Sequence, residues 1–244
     1  MRKLIAWLIG FAGVLALLSH VGLEIWNGLQ RQADQKRTEG LQEARQRLSA
    51  ELETTGLSLG APVFMRIFKE SRELEIWLKG DDSHWRHFRT YEICNYSGDL
   101  GPKLKEGDRQ SPEGLYSVAY SQLNPNSRFH LSFNLGFPNA YDRAQGRTGS
   151  FLMVHGDCVS IGCYAMTDDG IEEIYAMAEA ALKAGQKAFW VHSFPARFSD
   201  TWLESRSDSP WIGFWRDLKI CHDHFEDVGH PPAVSTSGGK YRCT

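Results

Sequence analysis

The stretch Phe151-Leu-Met-Val-His-Gly-Asp-Cys-Val-Ser-Ile-Gly-Cys-Tyr-Ala-Met-Thr-Asp168 carries the densest chemistry of this chain and sets its local fold. An apolar run ends on His155, a short turn follows, and Cys163 comes directly after Gly162. Thr167, Asp168 and Asp169 then supply the side-chain oxygens that cap a helix N-terminus. The order predicted is strand, turn, helix, with an imidazole and a thiol delivered to the turn. Nucleophilic cysteine chemistry needs those parts: a base for the thiol proton, and backbone N–H groups that can face a tetrahedral oxyanion. Gly162 leaves room for a substrate carbonyl to approach them. Buried cysteines are common and mostly inert, so two other readings stand beside this one. His155, Cys158, Cys163 and His192 could ligate zinc, although their spacing lacks the paired knuckles of zinc modules and ranks below catalysis. Alternatively, Cys158 and Cys163 could form a disulfide.

Working outward, the strand period recurs upstream. Val63 to Phe68 and Glu73 to Leu78 flank a Lys-Glu-Ser-Arg turn and read as a hairpin; His87 to Cys94, Leu115 to Tyr120, Phe129 to Leu135 and Ser150 to His155 read as further strands. The intervening Asn95 to Gly114 segment holds four glycines and two prolines, and a loop of that size is more often functional than idle. Downstream, Ile171, Ile174, Tyr175, Ala178 and Leu182 run at helical spacing to Gly185. Ala188 to Ser193 returns to strand. Ser209-Pro210 opens a second helix with Trp211, Phe214, Trp215 and Leu218 on one face, and His230 to Thr244 is expected as loop.

At the other end, Leu4 to Leu23 is free of Asp, Glu, Lys and Arg and follows Arg2 and Lys3. Twenty residues at about 1.5 Å each span roughly one hydrocarbon core, so the segment reads as a transmembrane anchor. A cleaved signal peptide is the rival, but no clear small-x-small site precedes Glu24. With Arg2 and Lys3 inside, the rest of the chain is expected outside. Residues 24 to 56 are polar, with Leu41, Ala44, Leu48 and Leu52 in a narrow helical stripe, and read as a helical stalk. The organisation expected is an anchor over residues 1–23, a stalk over 24–56, a catalytic domain over 57–197, and a helical extension with a loop tail over 198–244.

Composition narrows the function classes. The chain has 244 residues, 42% hydrophobic and 23% charged, which excludes a disordered chain. Lys and Arg number 27 against 30 Asp and Glu, a net charge of −3, so no basic field favours nucleic acid as a partner. Five cysteines are too few for a disulfide-built miniprotein and are odd in number, so an oxidising compartment leaves at least one unpaired within the chain. No cofactor is indicated.

The His155-Gly156 pair followed by Ser160-Ile161-Gly162-Cys163 resembles the active-site motif of the YkuD-type L,D-transpeptidase domain, most of all its YafK-like branch. Gly101-Pro-Lys-Leu-Lys-Glu-Gly-Asp-Arg-Gln-Ser-Pro-Glu-Gly-Leu-Tyr116 is similar to the family's Thr/Ser-Pro-x-Gly-x-aromatic segment, and Phe133-Asn-Leu-Gly-Phe-Pro-Asn139 also fits. The resemblance covers about Pro62 to Arg197. It implies a mainly β fold with flanking helices, a β-sandwich catalytic domain behind a transmembrane helix and helical stalk, and cysteine acyl transfer on peptidoglycan stem peptides. It also implies Cys163 as nucleophile, His155 as base, Gly162 and Cys163 as backbone oxyanion donors, and the Gly156 carbonyl as the group orienting His155. Ile161, where many members have His, and Tyr164-Ala165-Met166 depart from the pattern. The spacing from His155 to Cys163 is also shorter than in many members.

Arg143 and Arg147 could pair with substrate carboxylates, or be ordinary solvated arginines. His192 is a second candidate imidazole, or a satisfied core histidine. In Cys221-His-Asp-His224 a metal reading is weak, because helical neighbours diverge by about 100°; Cys221 is expected in the core or paired with Cys243 or Cys94. The function expected is an inner-membrane-anchored, periplasm-facing enzyme that forms or hydrolyses crosslinks or links to a wall-attached lipoprotein. The rival is a catalytically silent wall-binding protein with structural cysteines. A Cys163 thiol titrating below a free thiol would favour the enzyme.

Overall fold

The computed structural model describes residues 2–244, with side chains from Gly22 onward. It divides into two units, Met1–Gly40 and Leu41–Thr244. One helix, α1 (Arg2–Thr55), contributes to both. Nearly all of the expected anchor, Leu4 to Leu23, lies outside the residues whose side chains are described. Among the described residues no helix is long and apolar enough to cross a membrane. In the first unit the described surface is largely polar, with contacts one turn apart such as Gln35 to Glu39 at 2.7 Å and Arg37 to Asp34 at 2.7 Å, as a solvated helix requires.

The second unit begins where the helical stripe turns inward. Ala44, Leu48 and Leu52 are fully buried and Leu41 packs on the same core, so these turns of the polar segment belong to the globular body. Burying each leucine contributes roughly 1.5–3 kcal/mol.

The chain then forms β1 (Val63–Phe68), β2 (Glu73–Lys79), β3 (Trp85–Glu92), β4 (Asn95–Tyr96), β5 (Gly114–Ala119), β6 (Leu123–Asn124) and β7 (Ser132–Asn134). After α2 (Ala140–Ala144) come β8 (Met153–His155), β9 (Tyr164–Ala165), α3 (Asp168–Lys183) and β10 (Ala188–Phe194). The chain ends with α4 (Asp200–Glu204), α5 (Ile212–Val228), β11 (Val234–Ser237) and β12 (Lys240–Cys243). One five-stranded sheet runs β3-β2-β1-β10-β5, with β1 and β10 parallel; the other runs β4-β9-β8-β7-β6, with β8 and β9 parallel. The mainly β expectation holds only in part, because the sheets are mixed and in the second unit helices supply as many residues as strands.

Strand β1 is buried along its whole length, which explains its near-continuous apolar sequence. Val63, Met65 and Ile67 join the larger core with α3, while Phe68 joins Phe194, Trp215 and Leu218 of the second core under α5. Arg66, on the α5 side, is neutralised by Glu75 at 2.7 Å and by Glu226. The Thr167 cap is present, its side chain accepting from Gly170 N at the start of α3.

The C-terminal tail differs from the expected loop. It folds as the hairpin β11–β12, turned by Gly238 and Gly239 at φ 59° and 70°, a two-residue turn that needs positive φ at both positions. Tyr241 stacks on Tyr141 at 4.3 Å, and Cys243 is bonded to Cys221, so the hairpin is fastened to α5 and the second core.

Candidate active site

The parallel register of β8 and β9 pairs Val154 with Tyr164 and His155 with Ala165. The neighbouring residues, Met153 and Cys163, meet at the end of this ladder, where the Met153 N–H reaches Cys163 Sγ at 3.4 Å. The thiol points its own proton toward the Phe151 carbonyl at 3.6 Å. Cys163 and His155 both line one cleft of about 660 Å³, and no hydrogen bond joins them among the described residues. Catalytic contacts often tighten only when substrate arrives.

Cys163 is the one free cysteine among the described residues; Cys94 is bonded to Cys158 and Cys221 to Cys243. The Cys158–Cys163 pairing is therefore not formed. The zinc reading loses a ligand as well, since Cys158 sulfur is engaged in the disulfide. Cys158 and Asp157 both sit at positive φ, 46° and 69°, an uncommon conformation held by the bridge to Cys94 and by Asp157 N donating to Asp168 at 3.0 Å.

His155 is buried, and its Nδ1 lies 2.6 Å from the Gly156 carbonyl. A carbonyl only accepts, so Nδ1 carries the proton and Nε2 keeps the lone pair a base needs. A side chain at Gly156 would crowd its neighbours: a Cβ there would meet Asp168 Oδ1 at 2.7 Å and the His130 side chain at 3.0 Å, so both would have to shift. Burial holds His155 below the usual imidazole range and pushes the Cys163 thiol up, the latter only partly offset by the Met153 N–H and by Lys103. Burial thus favours the neutral thiol and the neutral imidazole, the opposite direction from the low-titrating thiol expected of an enzyme. Desolvation in the closed end of the cleft outweighs the nearby donors.

Two motif serines that sequence reading left without a role converge on the cysteine. Ser111 and Ser160 each donate to the Cys163 carbonyl at 2.8 Å, and Ser97 binds both, its hydroxyl to Ser160 at 2.8 Å and its N–H to Ser111 at 3.0 Å. Ser160 Oγ also accepts from the Gly162 N–H at 3.2 Å, so this expected oxyanion donor is engaged within the protein. Gly162 itself sits at φ 143°, where glycine is favoured for conformation rather than space.

A buried ion pair supports the serine cluster from below. Lys69 and Glu113 are fully buried 3.2 Å apart, and Lys69 Nζ donates to the carbonyls of Asp99 at 2.7 Å and Ser111 at 3.1 Å. Glu113 accepts from Gly101 N at 2.6 Å and Trp215 Nε1 at 2.8 Å. Burial lowers the Lys69 pKa, and the Glu113 charge opposes that shift. The pair fixes the Asn95 to Gly114 loop, whose Lys103, Glu106, Gly107 and Arg109 form one wall of the cleft.

The structure does not bring the remaining candidates to this cleft. His192 is fully buried between Phe64, Trp190 and Phe194 on the α5 side, both ring nitrogens lacking hydrogen-bond partners among the described residues, and burial lowers its pKa to about 3. Its neighbour Ser193 is the residue of β10 that reaches the site's scaffold, bonding Tyr164 OH at 2.7 Å and the Pro112 carbonyl at 2.9 Å. Arg147 is buried on Asp142 at 2.8 Å. Arg143 donates to the Pro138 carbonyl and lines a separate cavity beside β11. Of the two sequence departures, Tyr164 is buried and hydrogen-bonded inside, whereas Ile161 stands 82% exposed on the cleft rim.

A free thiol and a tautomer-fixed histidine that line one cleft, at the end of two parallel strands in a mixed sheet, are the arrangement that the resemblance to L,D-transpeptidase catalytic domains implies. The sequence profile of that family, YkuD, L,D-transpeptidase catalytic domain, matches residues 70–201, and the chain belongs to it. It is 48% identical over 183 residues to the Escherichia coli (strain K12) protein named "Putative L,D-transpeptidase YafK", spanning 75% of this chain and 74% of that one, with the same figures for the O157:H7 counterpart. Among solved structures, a variant of the helical cell shape determining protein Pgp2 from Campylobacter jejuni aligns with TM-score 0.46 at 19% identity, covering 68% of this chain and 56% of that one. Bdellovibrio bacteriovorus Bd1075 aligns with TM-score 0.41 at 17% identity, covering 73% and 78%.

Proposed function

We propose that the protein is a peptidoglycan-modifying cysteine acyltransferase that attacks a meso-diaminopimelate carbonyl of stem peptides. The observation that carries this reading is the unpaired Cys163 in the same cleft as His155, whose Nε2 is left as the acceptor by the Nδ1 bond to Gly156. His155 takes the thiol proton as Sγ adds to the carbonyl, and the carbonyl C–N bond breaks as that proton passes to the leaving amine. The thioester is then resolved by an amine, giving a crosslink, or by water, giving a free carboxylate and the regenerated thiol. Ile161 makes its part of the cleft rim apolar and itself offers no hydrogen bond to an acceptor amine, which supports hydrolytic release at least comparable with crosslinking. The bond cut is a crosslink or a link to a wall-attached lipoprotein.

Purified muropeptides incubated with the full chain in heavy-oxygen water test this. Label in a newly freed diaminopimelate carboxylate is the expected result; unlabelled crosslinked dimers as the dominant product overturn the hydrolytic part. If no product forms, and a carbapenem adds no mass that Cys163→Ser abolishes, the domain is a silent wall binder. The proposed setting is the periplasmic face of the inner membrane, with Leu4 to Leu23 retained as anchor. A mature chain starting near Glu24 would refute the anchor alone.

A further inference from the structure

Arginines elsewhere on the globular unit are commonly tied to carboxylates: Arg66 to Glu75, Arg89 to Glu51 and Glu173, Arg147 to Asp142, Arg197 to Glu73 and Arg206 to Glu70. The catalytic cleft breaks this habit. It contains two arginines, Arg109 and Arg128, and neither has a hydrogen bond or ion pair among the described residues. In a chain carrying an excess of acids, two unneutralised guanidiniums in the same concavity are notable.

Their backbones are built to stay there. Arg109 sits at φ 54° between Asp108, which accepts from Leu104 N at 2.8 Å and Gln110 N at 3.1 Å, and Gln110, which donates to the carbonyl of Asp99 at 2.6 Å. Arg128 lies between the buried Ser127, whose hydroxyl accepts from Phe129 N at 3.0 Å, and Phe129, whose ring packs 4.7 Å from that of His155. The other cation of the cleft, Lys103, is buried and neutralised by Asp108. The cleft's single acid, Glu106, accepts from Ser150 at 3.3 Å. Between them the lining is apolar, with Phe151, Val159 and Ile161 exposed.

We infer that Arg109 and Arg128 are the specificity-determining residues of the cleft, each binding a carboxylate of one extended acidic peptide and presenting its backbone to Cys163. This rests on the acyl-transfer reading for the identity of the peptide, and it moves the carboxylate-binding role away from Arg143 and Arg147. A guanidinium matches a carboxylate with two parallel N–H donors, and charge-assisted bonds of this kind are the strong ones.

The test uses full-length protein carrying Cys163→Ala, titrated with two synthetic peptides: a diaminopimelate-containing tetrapeptide with free carboxylates and the same peptide fully amidated. The acidic peptide should bind about 10-fold or more tighter than the amidated one. Arg109→Gln and Arg128→Gln should each erase much of that preference while leaving binding of the amidated peptide unchanged. In the chain that retains Cys163, the same substitutions should raise KM with little change in kcat. Equal affinity for the two peptides, or equal loss of both in the variants, overturns the inference. Arginine-dependent binding without any thioester in the reactive protein would refute acyl transfer and leave the inference standing, so the two failures separate.

Discussion

If Ser111 and Ser160 position the nucleophile through its own carbonyl, removing them should cost more together than separately. Each donates to the Cys163 oxygen at 2.8 Å, and a carbonyl oxygen has two lone pairs. In Ser111→Ala or Ser160→Ala one donor remains, so the loss is a net hydrogen bond, about 1 kcal/mol, or roughly fivefold in rate if it falls on the reacting arrangement. The Ser160 change also frees the Gly162 N–H, and the Ser111 change strips an acceptor from Ser97 N, so each single effect should reach about 1.5 kcal/mol. In the double variant this part-buried oxygen has neither donor, adding up to about 1–3 kcal/mol to the extent that water does not replace them. The cycle should therefore show a coupling of about 1 kcal/mol or more in the destabilising direction. The assay is the second-order rate of Cys163 acylation by a carbapenem, followed by intact mass, with urea unfolding of the same variants to confirm folding. Ser111→Thr, which keeps the hydroxyl, should retain most of the rate. Strictly additive effects, or unchanged rates in folded variants, would refute the positioning role.

Other outcomes follow from the same geometry. His192, with its pKa lowered by burial from 6.5 to about 3, binds a proton in the unfolded chain before the folded one, so stability rises with pH across that window and is lost as pH falls below 6.5. Between pH 6.5 and about 5 this amounts to roughly 2 kcal/mol, and urea unfolding of His192→Phe should lack that part of the acid slope. Because burial pushes Cys163 up from 9.0, its alkylation by iodoacetamide should keep rising past pH 9, and a plateau near neutrality would contradict the neutral-thiol site. The Cys94–Cys158 bridge closes 64 residues and Cys221–Cys243 closes 22, so chain entropy assigns about 4 and about 3 kcal/mol. Paired Cys→Ser variants in urea should follow that order, with acylation of Cys163 impaired only by loss of the first bridge. Gly156→Ala should lower both stability and acylation rate, since its Cβ would meet Asp168 and His130; normal unfolding and normal rate would show that the packing there yields.

Local rules made much of the scaffold legible. The β1–β2 hairpin and α3 follow from alternation, a turn and a cap, features written in neighbouring residues. That His155 and Cys163 reach one cleft follows from a single short segment holding both. The terminal hairpin departs from the expected loop although Gly238-Gly239 between two short runs is a hairpin signal; its strands are too polar to show alternation, and what holds them is Tyr241 and Cys243 reaching distant partners. Arg143 and Arg147 lie close in sequence to the strand that ends on His155, but Arg143 on α2 donates to the Pro138 carbonyl and Arg147, just after α2, pairs with Asp142. The arginines that do line the cleft come from two separate loops, a juxtaposition no spacing rule records.

The cysteine pairing has a consequence for biogenesis. The thiols emerge in the order Cys94, Cys158, Cys163, Cys221 and Cys243. An oxidant that joins neighbours as the chain appears would make the first bridge correctly. It would next join Cys163 to Cys221, capping the thiol that the folded protein keeps free and stranding Cys243. Reaching the observed pairs means skipping one thiol, so maturation requires either that Cys163 be folded into its cleft before Cys221 is oxidised or that a disulfide isomerase undo the error. A strain lacking such an isomerase should accumulate a Cys163-blocked form whose thiol a reductant frees.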